Sequence, residues 1–134
     1  MSDIELLASE AVRWGFASAC VPPCHVELAS RLLKGSAIAV TTVAGFPLGY
    51  QSKGVKLIEA LKAFGDGASE IDIVMNISHF KSGHHQLVSD EICSIVGALP
   101  DAVIKVIIEA ALLTDIEKAQ ACAALTGLCE QLEA

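Results

Sequence analysis

The chain has 134 residues, a length that fits one domain or part of one, since domains usually contain roughly 100 to 200 residues. Hydrophobic residues make up 53% of the sequence and charged residues 19%, which excludes a disordered chain and predicts a buried core. Nine basic against sixteen acidic residues give a net charge of -7. This balance argues against a nucleic-acid partner, because phosphate binding needs clustered Lys and Arg, and it favours a small molecule or another copy of the protein.

The sequence carries no signal for a membrane or an oxidising compartment. No apolar stretch reaches the roughly 18 residues of a membrane helix, and the first residues lack the basic region of a signal peptide. We therefore expect a cytoplasmic protein with no membrane partner. The cysteines are odd in number and have no C-x-x-C spacing, which argues against a disulfide framework and a zinc ribbon. We expect reduced, mostly buried thiols at Cys20, Cys24, Cys93, Cys122 and Cys129.

Helices and strands are predicted to alternate along the chain. Capping residues, helical spacing of apolar side chains and closing Gly or Pro indicate the helices, and β-branched runs indicate the strands. In chain order the predicted elements are a helix at 4–14, a strand at 17–21, a helix at 25–33, a strand at 37–43, a loop at 45–49, a helix at 55–64, a strand at 70–77, a helix at 85–99, a strand at 102–109 and a helix from 114.

This alternation of five helices and four strands predicts an α/β fold with a parallel sheet. No linker or repeat interrupts it, so we expect residues 1–134 to form a single domain. Four strands are too few for a closed barrel of eight, so the sheet is either open or part of a barrel. In the helix at 55–64, an apolar face is expected opposite a polar one. The apolar face contains Leu57, Ile58, Leu61 and Phe64, and the polar face contains Lys53, Lys56, Glu59 and Lys62.

The two later strands carry charges that are unusual in a parallel sheet, whose strands are normally apolar on both faces. Side chains alternate along a strand, so Asp72 and Lys105 each point away from the apolar residues that should pack under the helices. If the strands are neighbours, their backbones lie about 4.8 Å apart. Such a pair can exchange protons with a substrate in an enclosed site, where burial and a charged neighbour move pKa values towards neutral. The alternative is a buried ion pair that only fixes packing.

Other candidate sites are weaker. The adjacent His84 and His85 could bind a metal, but no third ligand has a telling spacing, and an exposed helix start explains them equally well. His25 and His79 are single histidines near element ends. The loop at 45–49 could line a ligand-binding mouth after a strand, or it could be a tight turn that needs its glycines.

Five segments, taken together and in order, closely resemble deoxyribose-phosphate aldolases. They are residues 16–21, 42–49, Lys56 with 59–60, 67–74 and 104–109. The similarity extends from about residue 4 to residue 122. It implies about half of a (β/α)8 TIM barrel, matching strands two to five, and a class I aldolase that uses a lysine Schiff base without a metal or other cofactor. The implied reaction is the reversible cleavage of 2-deoxyribose 5-phosphate to glyceraldehyde 3-phosphate and acetaldehyde in deoxynucleoside catabolism.

The resemblance also implies roles for single residues. Asp72 matches an aspartate of the proton relay, and Lys105 matches a lysine that positions charge and water in the same site. The family's Schiff-base lysine lies in a K-T-S-T-G motif on strand six, whereas this chain has no such motif and no lysine after Lys118. The segments for strands one, seven and eight are missing too, so the sequence resembles a truncated or frame-shifted reading frame.

Three hypotheses follow. The first is an aldolase, or a fragment of one, with little activity by itself. The second is a non-catalytic half-barrel that associates with itself or another chain through its open sheet edges. The third is an unrelated lyase in which Lys105 itself is the amine nucleophile.

Overall fold

A computed structural model of the chain describes the backbone of residues 2–132 and the side chains of residues 2–126. Six α-helices and four β-strands alternate in this part of the chain. They are α1 (Asp3–Trp14), β1 (Ser18–Cys20), α2 (Val26–Leu32), β2 (Ala39–Ala44), α3 (Lys53–Gly65), β3 (Glu70–Val74), α4 (Ile77–Lys81), α5 (His85–Ala98), β4 (Val103–Ile107) and α6 (Asp115–Leu132). Short 3-10 turns precede α2 at Pro23–His25 and follow β4 at Ala110–Leu112.

Every predicted helix and strand is present, and one helix was missed. The strand predicted at 70–77 ends at Val74, and α4 begins three residues later. Asn76 causes the change, because its side chain accepts a hydrogen bond from the His79 N–H at 3.0 Å and so caps the new helix. A helix of five residues is too short to show helical periodicity in the sequence.

The sequence predicts capping boxes of Ser2 with Glu5 and of Thr114 with Glu117, and both are present. Ser2 and Glu5 exchange hydrogen bonds at the start of α1. Thr114 and Glu117 do the same before α6. Each pair satisfies backbone N–H groups that the first helical turn leaves without partners.

The four strands form a parallel sheet, as predicted, and their order in it is β1-β2-β3-β4. Strands that are adjacent in the sheet are also consecutive in the sequence, and a helical segment joins each strand to the next. This is the connectivity of a (β/α) barrel. Within the described residues the sheet is open, and β1 and β4 are its edges. No helix in the described part of the chain is both long and apolar enough to cross a membrane.

The core lies between the helices and one face of the sheet. Ile71 and Ile73 of β3 are fully buried there, and Ile104 and Val106 of β4 pack against the same cluster. Small residues on the helices allow close approach to these large side chains. Those small residues include Ala8, Ala11, Ala29, Ala60 and Ala63. The opposite face of the sheet carries the charged side chains of Asp72 and Lys105.

The predicted faces of α3 are wrong. The buried positions are Lys56, Ala60 and Ala63, whereas Ile58 is 67% exposed. Leu61 and Phe64 are also exposed, and only Leu57 of the predicted apolar face packs partly against the core. The isoleucines of β3 already fill the space under the helix, so alanines make the closest contacts.

The prediction of mostly buried thiols is also wrong. All four cysteines with described side chains are free, and Cys20, Cys24 and Cys122 are exposed, while Cys93 is half-buried. The side chain of Cys129 lies outside the described residues.

Candidate active site

Asp72 and Lys105 meet on the face of the sheet that the helices leave uncovered. The register of β3 and β4 places the two residues directly opposite each other. Lys105 Nζ lies 2.9 Å from Asp72 Oδ1 and 3.1 Å from Glu70 Oε2. The prediction that Asp72 and Lys105 share a face, with their side-chain tips close together, is therefore confirmed.

The contact between Lys105 and Asp72 is an ion pair without aligned hydrogen bonding. Asp72 Oδ1 is buried, and no described donor reaches it with ordinary hydrogen-bond geometry, although Lys105 Nζ is near enough in distance. Glu70 is held more firmly, because the Thr41 hydroxyl donates to its Oε2 at 3.1 Å. Asp72 is thus held mainly by the charge of Lys105, on the uncovered side of the sheet.

The electrostatics differ from the expected enclosed site. The contact with Asp72 raises the pKa of Lys105 most, burial opposes that increase, and the contact with Glu70 adds to it. The Lys105 ammonium likewise lowers the pKa of Glu70. The Lys105 side chain is 47% exposed and those of its partners less than a quarter, so the groups are only partly desolvated. The pKa of Lys105 thus moves away from neutral, contrary to expectation, and its amine is charged at pH 7.

An apolar cavity of about 280 Å³ lies at the carboxyl end of β1 and β2. Val43, which is opposite Asp72 in the register of β2 and β3, lines it together with Cys20 and Phe46. Burial raises the pKa of the Cys20 thiol, Asp72 raises it further, and Lys105 opposes the increase. The cavity therefore adjoins the strand position of Asp72, through Val43.

Sequence reasoning did not identify this cavity, although two signals pointed to it. Cys20 is the last residue of its strand, and Phe46 belongs to the glycine-containing loop at 45–49. That loop is more than a tight turn. Gly49 has a φ of +70°, and a Cβ atom at this position would lie 2.2 Å from the Met75 carbonyl oxygen. Its glycine is required because the loop packs directly on the backbone that follows β3.

A second lysine and carboxylate, Lys56 and Glu91, were missed entirely. Lys56 Nζ lies 2.6 Å from Glu91 Oε1, with the two side chains 0% and 4% exposed. The same ammonium donates to the Val74 carbonyl oxygen at 2.8 Å. This buried pair lies on the helix side of the sheet, behind the carboxyl end of β3.

The histidines do not form a metal centre in the described structure. His79 and His84 stack with ring centroids 6.2 Å apart, and His85 stacks on Phe80 at 4.6 Å. Among the residues that the structure describes, no three His, Cys, Asp or Glu side chains come together in a metal-binding group. His25 ends the 3-10 turn before α2 and is exposed.

No protein-family model matches the chain, but individual proteins do. The deoxyribose-phosphate aldolase of Clostridium kluyveri is 49% identical over 117 residues, which are 87% of this chain and 54% of that protein. The chain therefore spans about half the length of the curated relatives it matches.

Solved structures agree with the sequence comparison. A protein from Coccidioides immitis that is described as a deoxyribose-phosphate aldolase superposes with a TM-score of 0.91 at 37% identity, over 93% of this chain and 49% of that one. The tetrameric deoxyribose phosphate aldolase of Aeropyrum pernix superposes with a TM-score of 0.79 at 32% identity, over 96% of this chain and 52% of that one. These superpositions confirm that the open sheet corresponds to about half of a (β/α)8 barrel. By sequence and by fold, the chain is a homologue of the deoxyribose-phosphate aldolases, aligned with about half of their length.

Proposed function

We propose that these 134 residues supply half of the active site of a carbon–carbon lyase that cleaves 2-deoxyribose 5-phosphate to glyceraldehyde 3-phosphate and acetaldehyde. The observation that carries the proposal is the Asp72–Lys105 ion pair on the uncovered face of the sheet, in a chain 49% identical to a deoxyribose-phosphate aldolase. The apolar cavity beside the pair suits a substrate carbon without a hydroxyl group. We place this activity in the cytoplasm, within deoxynucleoside catabolism.

Cleavage through a Schiff base needs an uncharged amine and a proton relay. The amine condenses with the substrate carbonyl and releases water. A base then takes the proton of the C3 hydroxyl, the C2–C3 bond breaks to release glyceraldehyde 3-phosphate, and the bond electrons pass through C2 to the iminium to give an enamine. Protonation of C2 and addition of water then release acetaldehyde and restore the amine. In our proposal Asp72 belongs to that relay, because it is a carboxylate on the uncovered face of the sheet, with Lys105 Nζ 2.9 Å from its Oδ1.

In our proposal Lys105 positions charge and water beside Asp72, and it does not attack the substrate carbonyl. An ammonium has no free electron pair, and two carboxylates stabilise the charged form of Lys105. A nucleophilic lysine needs the opposite environment, one that lowers its pKa. The attacking amine must then come from a segment that covers the open face. We therefore propose that residues 1–134, as one incomplete barrel domain, have little or no aldolase activity when produced alone.

Complementation tests the proposal. The chain is mixed with the part of the Clostridium kluyveri aldolase that lies outside the aligned 117 residues, and acetaldehyde release from 2-deoxyribose 5-phosphate is followed. We expect turnover from the mixture and from neither piece alone. Asp72→Asn should abolish the restored turnover, and Asp66→Asn, which alters a surface ion pair with Lys62, should not. Retained turnover in the Asp72→Asn mixture would contradict the relay role.

Borohydride reduction tests the role of Lys105 separately. With substrate and borohydride, the chain alone should gain no mass, because its amines in the site are protonated. A stable adduct on Lys105 together with acetaldehyde release would identify Lys105 as the nucleophile and overturn the assignment.

Self-association is a second proposed property, and the uncovered strand edges favour it. β1 and β4 each have one side without a strand partner among the described residues, and Val103 of β4 is 55% exposed. Unpaired edges bind other strands, so we propose that the isolated chain associates through them, with a second copy or with a complementing chain. Sedimentation should show dimers or larger species. A monodisperse monomer that melts cooperatively would contradict this.

A further inference from the structure

The buried pair of Lys56 and Glu91 connects three elements that do not otherwise share a polar contact. Lys56 belongs to the first turns of α3, and Glu91 belongs to α5, 35 residues later. The third partner is the carbonyl of Val74, the last residue of β3. An ammonium with no solvent exposure therefore ties two helices to the carboxyl end of the strand that carries Asp72.

The aliphatic part of the same lysine supports the loop at 45–49. A Cβ atom on Gly45 would lie 2.7 Å from Lys56 Cε and 3.1 Å from Cδ, so the lysine stem passes directly under this glycine. The Gly45 N–H donates to Glu59 Oε2, one turn further along α3, at 2.8 Å. The loop continues to Phe46, which forms a wall of the apolar cavity.

Packing alone does not require a charge at this position. A buried ion pair gains little over apolar side chains of the same size, since removing both charges from water costs about as much as their attraction returns. What a methionine could not do is donate a hydrogen bond to the Val74 carbonyl. The directional contact, not the burial, distinguishes Lys56 from an apolar residue.

We propose that Lys56 and Glu91 are positioning residues: they lock the loop at 45–49 and the carboxyl end of β3 in one arrangement, and so fix Phe46 relative to Asp72. Glu91 holds the ammonium from the far side, and Lys56 transmits that position to the loop through its stem and to the strand through its donated hydrogen bond. Calling this arrangement the substrate site rests on the proposed aldolase function. The effect of the Lys56–Glu91 pair on the loop and the strand is independent of that function.

Hydrogen exchange measured by mass spectrometry tests the lock. The double variant Lys56→Met, Glu91→Met replaces both charges by side chains of similar size. We expect it to melt near the temperature of the unaltered chain, while peptides that cover residues 45–51 exchange about tenfold faster and peptides within α5 keep their protection. The control is Lys62→Met, Asp66→Asn, which removes an exposed ion pair from the same helix and should leave exchange at 45–51 unchanged.

Unchanged exchange at residues 45–51 in the double variant would show that the pair only fills space, and would overturn the proposal. If the double variant does not fold, Glu91→Gln keeps the shape of the side chain and removes its charge. It should still accelerate exchange in the loop, and an unchanged loop would again overturn the proposal.

A second measurement separates this inference from the aldolase proposal. In the complemented enzyme, the double variant should raise KM more than it lowers kcat, because Phe46 forms the cavity wall and does not react. Failure of complementation would leave the exchange result standing. Unaltered kinetic constants in an active complement would refute the link to the substrate site.

Discussion

The same substitution at two lysines should have very different effects on stability. Lys56→Met leaves Glu91 as an unpaired carboxylate that is 4% exposed, and breaking a buried pair in this way costs about 3 to 5 kcal/mol. Lys105→Met also breaks contacts with carboxylates, but the lysine there is 47% exposed. Solvent-screened pairs contribute about 0 to 1 kcal/mol, so we expect a loss in that range. Burial is the main difference between the two variants, because both lose a lysine that lies within about 3 Å of a carboxylate. Lys56→Met also loses the hydrogen bond to the Val74 carbonyl.

Urea denaturation at one fixed protein concentration checks this difference, since association is linked to folding. With a urea dependence of about 2 kcal/mol per molar, Lys56→Met should lower the midpoint by roughly 2 M and Lys105→Met by less than about 0.5 M. Far-UV circular dichroism and a second probe should give coincident transitions before the midpoints are compared. Equal midpoints for the two variants would refute the reasoning, because they would mean that the Lys56–Glu91 pair is not desolvated in the folded chain.

Three further outcomes are expected. Lys105 lowers the pKa of Glu70 from 4.5, and Asp72 is the main cause that raises the pKa of Lys105 from 10.5. The stabilising contribution of these groups should therefore be present between about pH 4.5 and 10.5. This stabilisation should decline as the pH falls through the lowered pKa of Glu70, and also as the pH rises through the raised pKa of Lys105. The melting temperature of Lys105→Met should show neither decline. Burial raises the pKa of the Cys20 thiol and Lys105 opposes this, so Lys105→Met should slow alkylation of Cys20 by iodoacetamide at pH 8. Faster alkylation would contradict the placement of the thiol. Gly49→Ala should destabilise the chain by about 3 kcal/mol or more, because strain at positive φ adds to a backbone clash. Gly15→Ala, also at positive φ but with open space around its Cβ, should cost only about 1 to 2 kcal/mol in the same urea titration.

Local sequence patterns were enough to predict the helices and strands, and the direction in which the charged side chains of β3 and β4 point. Alternation along β3 and β4 places Asp72 and Lys105 opposite the apolar side chains of their own strands, and both apolar sets pack under the helices. The capping boxes at Ser2 and Thr114 are equally local, since each involves residues only three positions apart.

Long-range contacts decided the features that the patterns missed. The face that α3 turns to the core is set by its packing against β2, β3 and α5, which the helix sequence does not contain. Lys56 can be buried only because Glu91 and the Val74 carbonyl meet it, and these partners lie 35 and 18 residues away. A lysine beside an apolar stretch normally indicates a solvated helix face, so periodicity assigns Lys56 to the wrong side.

The amino-acid sequence by itself therefore determined the parallel α/β order, the orientation of Asp72 and Lys105 away from the apolar side chains of their strands, and the resemblance to an aldolase. Only the tertiary structure decided how exposed that pair is, which cavity adjoins it and how the loop at 45–49 is held. The physical reason is that strand phase and helix caps depend on neighbours within a few residues, whereas desolvation and the partners of a buried charge depend on the whole packed chain.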